Sequence, residues 1–232
     1  MLDSEQIKLN IQKVQSEINE IVEKLPDKQR VYIVAASKTM PIECIKAVEN
    51  TAVFAVAENK AQEFRDKYLP LDGVEWQFIG RLQTNKVKYL VGKASLIQSV
   101  DSFELLNEIQ RLAQKAGIIQ DVLLEISVAG EEQKGGIKIE NVKDYLNYFK
   151  NLSCVRLKGF MSVMPNVDDE ELLKSYFIKM KELFDETGAK NYVNVEMKYL
   201  SCGMSHDYRI ALKCGANMIR LGRTIFGERN YQ

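Results

Sequence analysis

The chain is poor in the residues that build metal centres and disulfide scaffolds. Among 232 residues there is one histidine, His206, and there are four scattered cysteines, Cys44, Cys154, Cys202 and Cys214, with no CxxC pair. That set argues against a zinc site and against a stapled secreted domain, and for a reducing compartment. An excess of one charge is also lacking: 32 Lys and Arg balance 32 Asp and Glu. No net field draws such a chain to nucleic acid or to an anionic membrane. No apolar run approaches the roughly 20 residues of a membrane span. The charged opening stretch MLDSEQIKLNIQKVQSEINEIVEK is no signal peptide, so a cytoplasmic protein is expected. With no proline- or glycine-rich linker and no long repeat, residues 1–232 read as one domain.

What is present is a regular alternation. Ile7, Ile11, Val14, Ile18 and the pair Ile21/Val22 recur at helical spacing and predict a leading amphipathic helix. Short apolar runs then predict strands near 31–36, 53–57, 75–79, 95–99, 121–128, 155–160, 195–200 and 217–221. Helical patterns fall between them, near 41–50, 59–68, 84–92, 102–116, 139–150, 168–187 and 205–214. Eight strands alternating with helices favour a closed (β/α)8 barrel, with an open doubly wound sheet as the alternative. Only RTIFGERNYQ follows the eighth strand, so the leading helix is expected to cover the place of a full eighth helix.

In such barrels the chemistry sits at the C-terminal ends of the strands. VYIVAASKTMP, residues 31–41, ends its strand in Lys38, whose parity matches Ala36 and Val34. Lys38 either faces solvent as a strand cap or points into the barrel mouth above small Ala36. After strand seven comes SCGMSHDY, where Gly203 and Ser205 precede a helix and Ser205 reads as its N-cap. After strand eight comes IRLGRTIFG, with Gly222 before a short helical turn. Loops after strands seven and eight commonly cradle phosphate in this architecture. Arg220, inside the eighth strand, needs an acceptor: a carboxylate such as Glu196 or Glu58, or a ligand atom. Asn59, in AENKAQEF, lies at the mouth or caps helix two. Asn85 caps helix three, and Lys86 and Lys134 sit on rim loops.

The stretches AASKTMP, AENKAQE, WQFIGRLQTNK, EEQKGGI, GFMSVMP, LSCGMS and IRLGRTIFG, in this order over residues 31–227, resemble the pyridoxal phosphate homeostasis protein family. That family is a single barrel similar to the N-terminal domain of alanine racemase. The resemblance implies that Lys38 forms a Schiff base with pyridoxal 5′-phosphate and that Arg220 faces the pyridine nitrogen. It implies that Asn59 lies beside the ring, and that Met204, Ser205 and Gly222 with neighbouring amides surround the phosphate. Arg223 stands where the family often has threonine, so Arg223 or Thr224 would complete that contact. Gln77 and Ala57 also depart, standing where histidine and glycine are usual. No catalytic residue is assigned.

Three functions follow. The first is a non-catalytic protein, expected to be a monomer, that buffers pyridoxal phosphate and delivers it to apo enzymes. The second is a pyridoxal-phosphate-dependent amino-acid racemase. Against it, no second domain is expected beyond the barrel to supply an opposite acid/base, and none can be assigned within it. The third is a barrel binding another phosphorylated metabolite, with Lys38 as a Schiff-base or general-base lysine. A donor-only guanidinium at the ring nitrogen makes the cofactor a poor electron sink, which favours the first.

Overall fold

The computed structural model describes residues 3–130 and 135–228. Asp3 accepts from the backbone N–H of Gln6 at 2.8 Å, which caps helix α1 (Ser4–Glu23). Ile7, Ile11, Val14 and Ile18 bury one stripe of that helix. The strands are β1 (Tyr32–Ala36), β2 (Val53–Glu58), β3 (Glu75–Phe78), β4 (Leu96–Val100), β5 (Gln120–Ser127), β6 (Ile137–Lys138), β7 (Val155–Met161), β8 (Val195–Met204) and β9 (Met218–Leu221). Eight of them lie side by side in the order β4-β3-β2-β1-β9-β8-β7-β5, and β4 pairs with β5 to close the ring. Every pairing is parallel. The expected (β/α)8 barrel is therefore the observed fold, and the open sheet is excluded. Two-residue β6 is an addition that pairs with the end of β5.

Side-chain alternation divides the apolar residues into two cores. Val34, Ala55, Ala57, Leu96, Leu123, Met161, Tyr199 and Met218 fill the barrel interior. Tyr32, Phe54 and Tyr199 close its lower end, with edge-to-face ring centroids 4.9 and 5.0 Å apart about Tyr32. Alternate positions such as Ile33, Ala35 and Val56 pack outward against the helices.

Those helices are α2 (Ile42–Lys46), α3 (Ala61–Lys67), α4 (Phe103–Ala116), α5 (Val142–Tyr148), α6 (Glu170–Gly188), α7 (Tyr208–Lys213) and α8 (Arg223–Phe226). Several are shorter than their sequence patterns suggest. The expected helix at 84–92 is a 3-10 segment, Thr84–Tyr89, and 3-10 turns flank α5. Apolar periodicity cannot separate a tight 3-10 turn from an α-turn over so few residues. The leading helix packs on α7 and α8 as expected: Asn10 Nδ2 donates to the Ile225 carbonyl at 3.0 Å, and Arg209 Nη2 meets Glu17 Oε2 at 2.7 Å. No helix among the described residues is long and apolar enough to cross a membrane.

Candidate functional site

Strand β1 delivers Lys38 to the mouth through a tight turn. The Ser37 N–H continues the ladder to the Ala57 carbonyl at 3.0 Å, and the Met40 N–H closes the turn on the Ser37 carbonyl at 2.9 Å. Ser37 is fully buried on the outer side of the strand, where its hydroxyl donates to Glu58 Oε1 at 2.9 Å. The next residue must then face the opposite way. Lys38 and Ala36 accordingly line a cavity of about 670 Å³ at the barrel mouth.

Seven of the eight residues expected from sequence border that cavity: Lys38, Asn59, Met204, Ser205, Arg220, Gly222 and Arg223. The eighth, Thr224, stands behind it, its backbone N–H donating to Ser205 Oγ at 3.3 Å. Ile79 and Val163 add apolar wall, and His206 borders the rim. Ser205 is not the N-cap of the following helix. Asp207 takes that position, with Oδ1 accepting from the Met204 N–H at 2.6 Å, and α7 starts only at Tyr208. The hydroxyl of Ser205 is thereby left to the cavity loop. Gly203 allows this turn: its φ is +97°, and a Cβ there would lie 2.7 Å from the Ala211 Cβ.

Asn59 does not cap a helix either. Helix α3 has Lys60 at its N-cap position without a side-chain cap, and Asn59 Oδ1 is buried with no hydrogen-bond partner among the described residues. Gly80 fixes the loop beside it, because a Cβ at Gly80 would sit 1.9 Å from the Asn59 carbonyl oxygen. Asn85 lies inside the 3-10 segment rather than at its cap, which is Gln83. Lys86 borders a separate polar groove with Arg81 and Asp101, and Lys134 lies outside the described residues.

Arg220 finds neither of the carboxylates offered as partners. Glu196 pairs with Lys158 at 2.5 Å, and Glu58 pairs with Lys67 at 3.0 Å. Its Nη1 instead donates to the Ser201 carbonyl and hydroxyl at 2.6 and 2.7 Å, and Nη2 to the Ser162 carbonyl at 2.9 Å. Three of the five guanidinium N–H groups are so engaged. Burial draws its pKa down, opposed by Cys202, Glu125 and Asp207 nearby. Ser201 passes the chain of bonds to Gln98 Oε1 at 2.7 Å, and Gln98 Nε2 to Gln77 Oε1 at 2.6 Å. The unusual Gln77 is therefore the far end of a buried polar relay rooted at Arg220.

Ser162, Ser201 and Gln98 escaped the sequence reading because a hydroxyl or amide inside an apolar strand carries no motif. The usable signal was Arg220 itself, which required buried acceptors on adjacent strands. Glu125 was missed as well. It shares the inward parity of Leu123, and burial, with Asp101 adding to it, raises its pKa from 4.5 to about 7 against the opposing charges of Arg220 and Arg81. The cysteines are free; Cys202 is buried, and its thiol is pushed up to about 12 by that burial. A thiol so held is no nucleophile.

Known proteins share this sequence and shape. The family model for the alanine racemase N-terminal domain matches residues 3–230. The pyridoxal phosphate homeostasis protein of Aquifex aeolicus is 46% identical over 201 residues, spanning 86% of this chain and 87% of that protein. The protein of the same name from Helicobacter pylori is 36% identical over 205 residues, 85% and 88% of the two chains. The structure of PipY from Synechococcus elongatus with pyridoxal phosphate bound matches with a TM-score of 0.77 at 25% identity, over 91% of this chain and 99% of that one.

Proposed function

The chain belongs to the pyridoxal phosphate homeostasis protein family, and from that premise we propose that it holds pyridoxal 5′-phosphate as a Schiff base on Lys38, buffering and delivering the cofactor without catalysis of its own. In this reading one barrel domain acts as a monomer in the cytoplasm, and apo forms of enzymes that need the cofactor are its acceptors. The observation that carries it is the convergence of Lys38, Arg220 and the Ser205–Gly222 loops on one cavity.

The residues present fit the group. Lys38 Nζ would hold the group covalently: bound there, it would supply an aldehyde for the amine to condense with, the aldehyde oxygen leaving as water with the two nitrogen hydrogens. Ala36 beneath Lys38 gives a flat ring room, and Ile79, Val163 and Met204 offer apolar contact. Ser205 and Gly222 bring a hydroxyl and loop backbone to where an anionic tail would lie, and Arg223 beside them adds a charge-assisted bond; the Thr224 N–H is already given to Ser205 Oγ and the Ile225 N–H to the Gly222 carbonyl. Asn59 Oδ1, buried and without a partner among the described residues, is an acceptor that a ring substituent can satisfy. Two anchors at opposite ends of one ring orient it as well as bind it.

Arg220 separates storage from amino-acid chemistry. A guanidinium donates only, so beside a pyridine nitrogen it favours the unprotonated ring. An unprotonated ring withdraws electrons from an attached carbon less strongly, which suits retention and release.

Purified protein mixed with pyridoxal 5′-phosphate should turn yellow, and borohydride should fix the cofactor to a peptide containing Lys38. Holoprotein should then restore an apo-enzyme at a rate distinct from that of the free cofactor. A label on any other lysine defeats the site assignment. Turnover of alanine or serine to its enantiomer, lost in Lys38→Ala, would replace the storage reading with that of a racemase.

A further inference from the structure

Outside the cavity, behind the turn that carries Lys38, lies a charged knot that the binding chemistry does not use. Lys67, on α3, sends its ammonium to three acceptors: Glu58 Oε1 at 3.0 Å, Glu63 Oε2 at 3.1 Å and the Ser37 carbonyl at 3.4 Å. An ammonium has three hydrogens, so its donors match its partners. Glu58 is fully buried and also accepts the Ser37 hydroxyl. Glu63 Oε2 accepts the backbone N–H of Thr39 at 3.1 Å. The residue before Lys38 is therefore fastened to this ammonium directly and the residue after it through Glu63, while none of Ser37, Glu58, Glu63 and Lys67 lines the cavity.

The backbone shows why a fastening is needed. Thr39 has φ +65°, a left-handed conformation that a β-branched residue adopts only when its surroundings impose it. The Glu63 bond to its N–H holds it there. Released, the turn would relax, and with it the direction in which Lys38 leaves the strand.

We propose that Lys67, Glu58 and Glu63 are positioning residues for Lys38, holding its turn in the geometry that aims the amine at an incoming aldehyde. The proposal rests on Lys38 being the nitrogen that bonds the cofactor. It concerns only the approach of that nitrogen, since the donors for the anionic tail come from the loops after β8 and β9.

Two ligands separate positioning from folding. Pyridoxal 5′-phosphate reports condensation through its yellow colour, and pyridoxine 5′-phosphate, which has no aldehyde, reports binding alone by calorimetry. Glu63→Ala removes the Thr39 acceptor and one Lys67 partner, whereas Glu63→Gln keeps an acceptor. Condensation in Glu63→Ala and Lys67→Met should slow by on the order of tenfold or more, as small misplacements of reacting groups do. Pyridoxine 5′-phosphate should bind each variant within about twofold of wild type, and Glu63→Gln should recover most of the rate. Should Lys67→Met fail to fold, Glu63→Ala decides alone, its side chain being partly exposed at 24%. Wild-type rates in Glu63→Ala, or equal losses for both ligands, would overturn the positioning role. Wild-type protein that never colours would sink the Lys38 assignment itself, and this proposal with it.

Discussion

Ser201 and Gln98 lie 103 residues apart yet share a 2.7 Å hydrogen bond at the centre of the barrel, Ser201 Oγ donating to Gln98 Oε1. The direction of that bond follows from Arg220. A guanidinium can only donate, so the Ser201 hydroxyl accepts from it and keeps its one hydrogen for Gln98. Gln98 then accepts with its oxygen and gives its amide hydrogen to Gln77 Oε1. One permanent cation orders three neutral side chains on three strands, all fully buried.

Ser201→Ala breaks the relay at its midpoint. It leaves Gln98 Oε1 without its donor and removes one of the three acceptors that hold Arg220. Stability should fall by about 1–3 kcal/mol, the range for stranding a buried polar group, as read by urea unfolding. Ser99→Ala is the control, because the Ser99 hydroxyl is buried with no hydrogen-bond partner among the described residues and should lose less. Equal losses in the two variants would mean that the relay contributes nothing.

Glu125 predicts a stability that declines as pH rises. Its pKa is 4.5 without the fold and about 7 within it, burial being the main cause and Asp101 the second. Between those values the folded chain holds a proton that the unfolded chain has lost, so raising the pH favours unfolding. The contribution is complete below 4.5 and lost as pH passes through about 7, amounting to at most about 3 kcal/mol. Glu125→Gln cannot ionise and should flatten that part of the profile in urea titrations run across the window. An unchanged slope would place the proton elsewhere.

Much of this architecture was legible in the sequence because period and order are strong signals. The alternation of short apolar runs with helical stripes identified all eight barrel strands, and the parity of Val34, Ala36 and Lys38 made the mouth one of two places for the amine, the one the structure shows. Features that depend on three dimensions were not legible. Ser205 and Asp207 are both good caps, and only the path of the turn after Met204 decides that Asp207 takes the role. Arg220 could be seen to need acceptors, but carbonyls of Ser162 and Ser201 leave no trace in the side-chain pattern. The Lys67 knot joins residues 37, 58, 63 and 67 across two layers, and its carboxylates look in sequence like an ordinary solvated helix face.

Gly80 ties fold to site. A methyl group at this position would meet the Asn59 backbone at 1.9 Å, so Gly80→Ala must push the two loops apart. Overpacking of this kind costs about 1–3 kcal/mol or more, and the displaced Asn59 should weaken cofactor binding as well. Gly73→Ala is the contrast: its φ is +67°, but a Cβ there has nothing within 4 Å. It should lose only the conformational term of about 1–2 kcal/mol and keep its affinity. Calorimetric titration with pyridoxine 5′-phosphate on both variants checks the difference; equal affinities would remove Asn59 from the site.

The leading helix should influence the Gly222 side of the cavity through the Asn10 amide. Asn10 Nδ2 donates to the Ile225 carbonyl at 3.0 Å, tying α1 to the short helix α8 that Gly222 opens. Ile11, one residue on, is buried at 1% exposure against the core. Ile11→Ala should cost about 2–5 kcal/mol through the cavity it leaves, with little change in affinity while the protein stays folded. Asn10→Ala should cost only about 1 kcal/mol, yet loosen α8 and weaken the grip on an anionic tail several-fold. The two variants therefore separate in opposite directions when unfolding and pyridoxine 5′-phosphate binding are measured side by side. If affinity instead tracks stability across both, α1 supports the barrel only as a packed wall, and the Asn10 amide has no separate influence on the site.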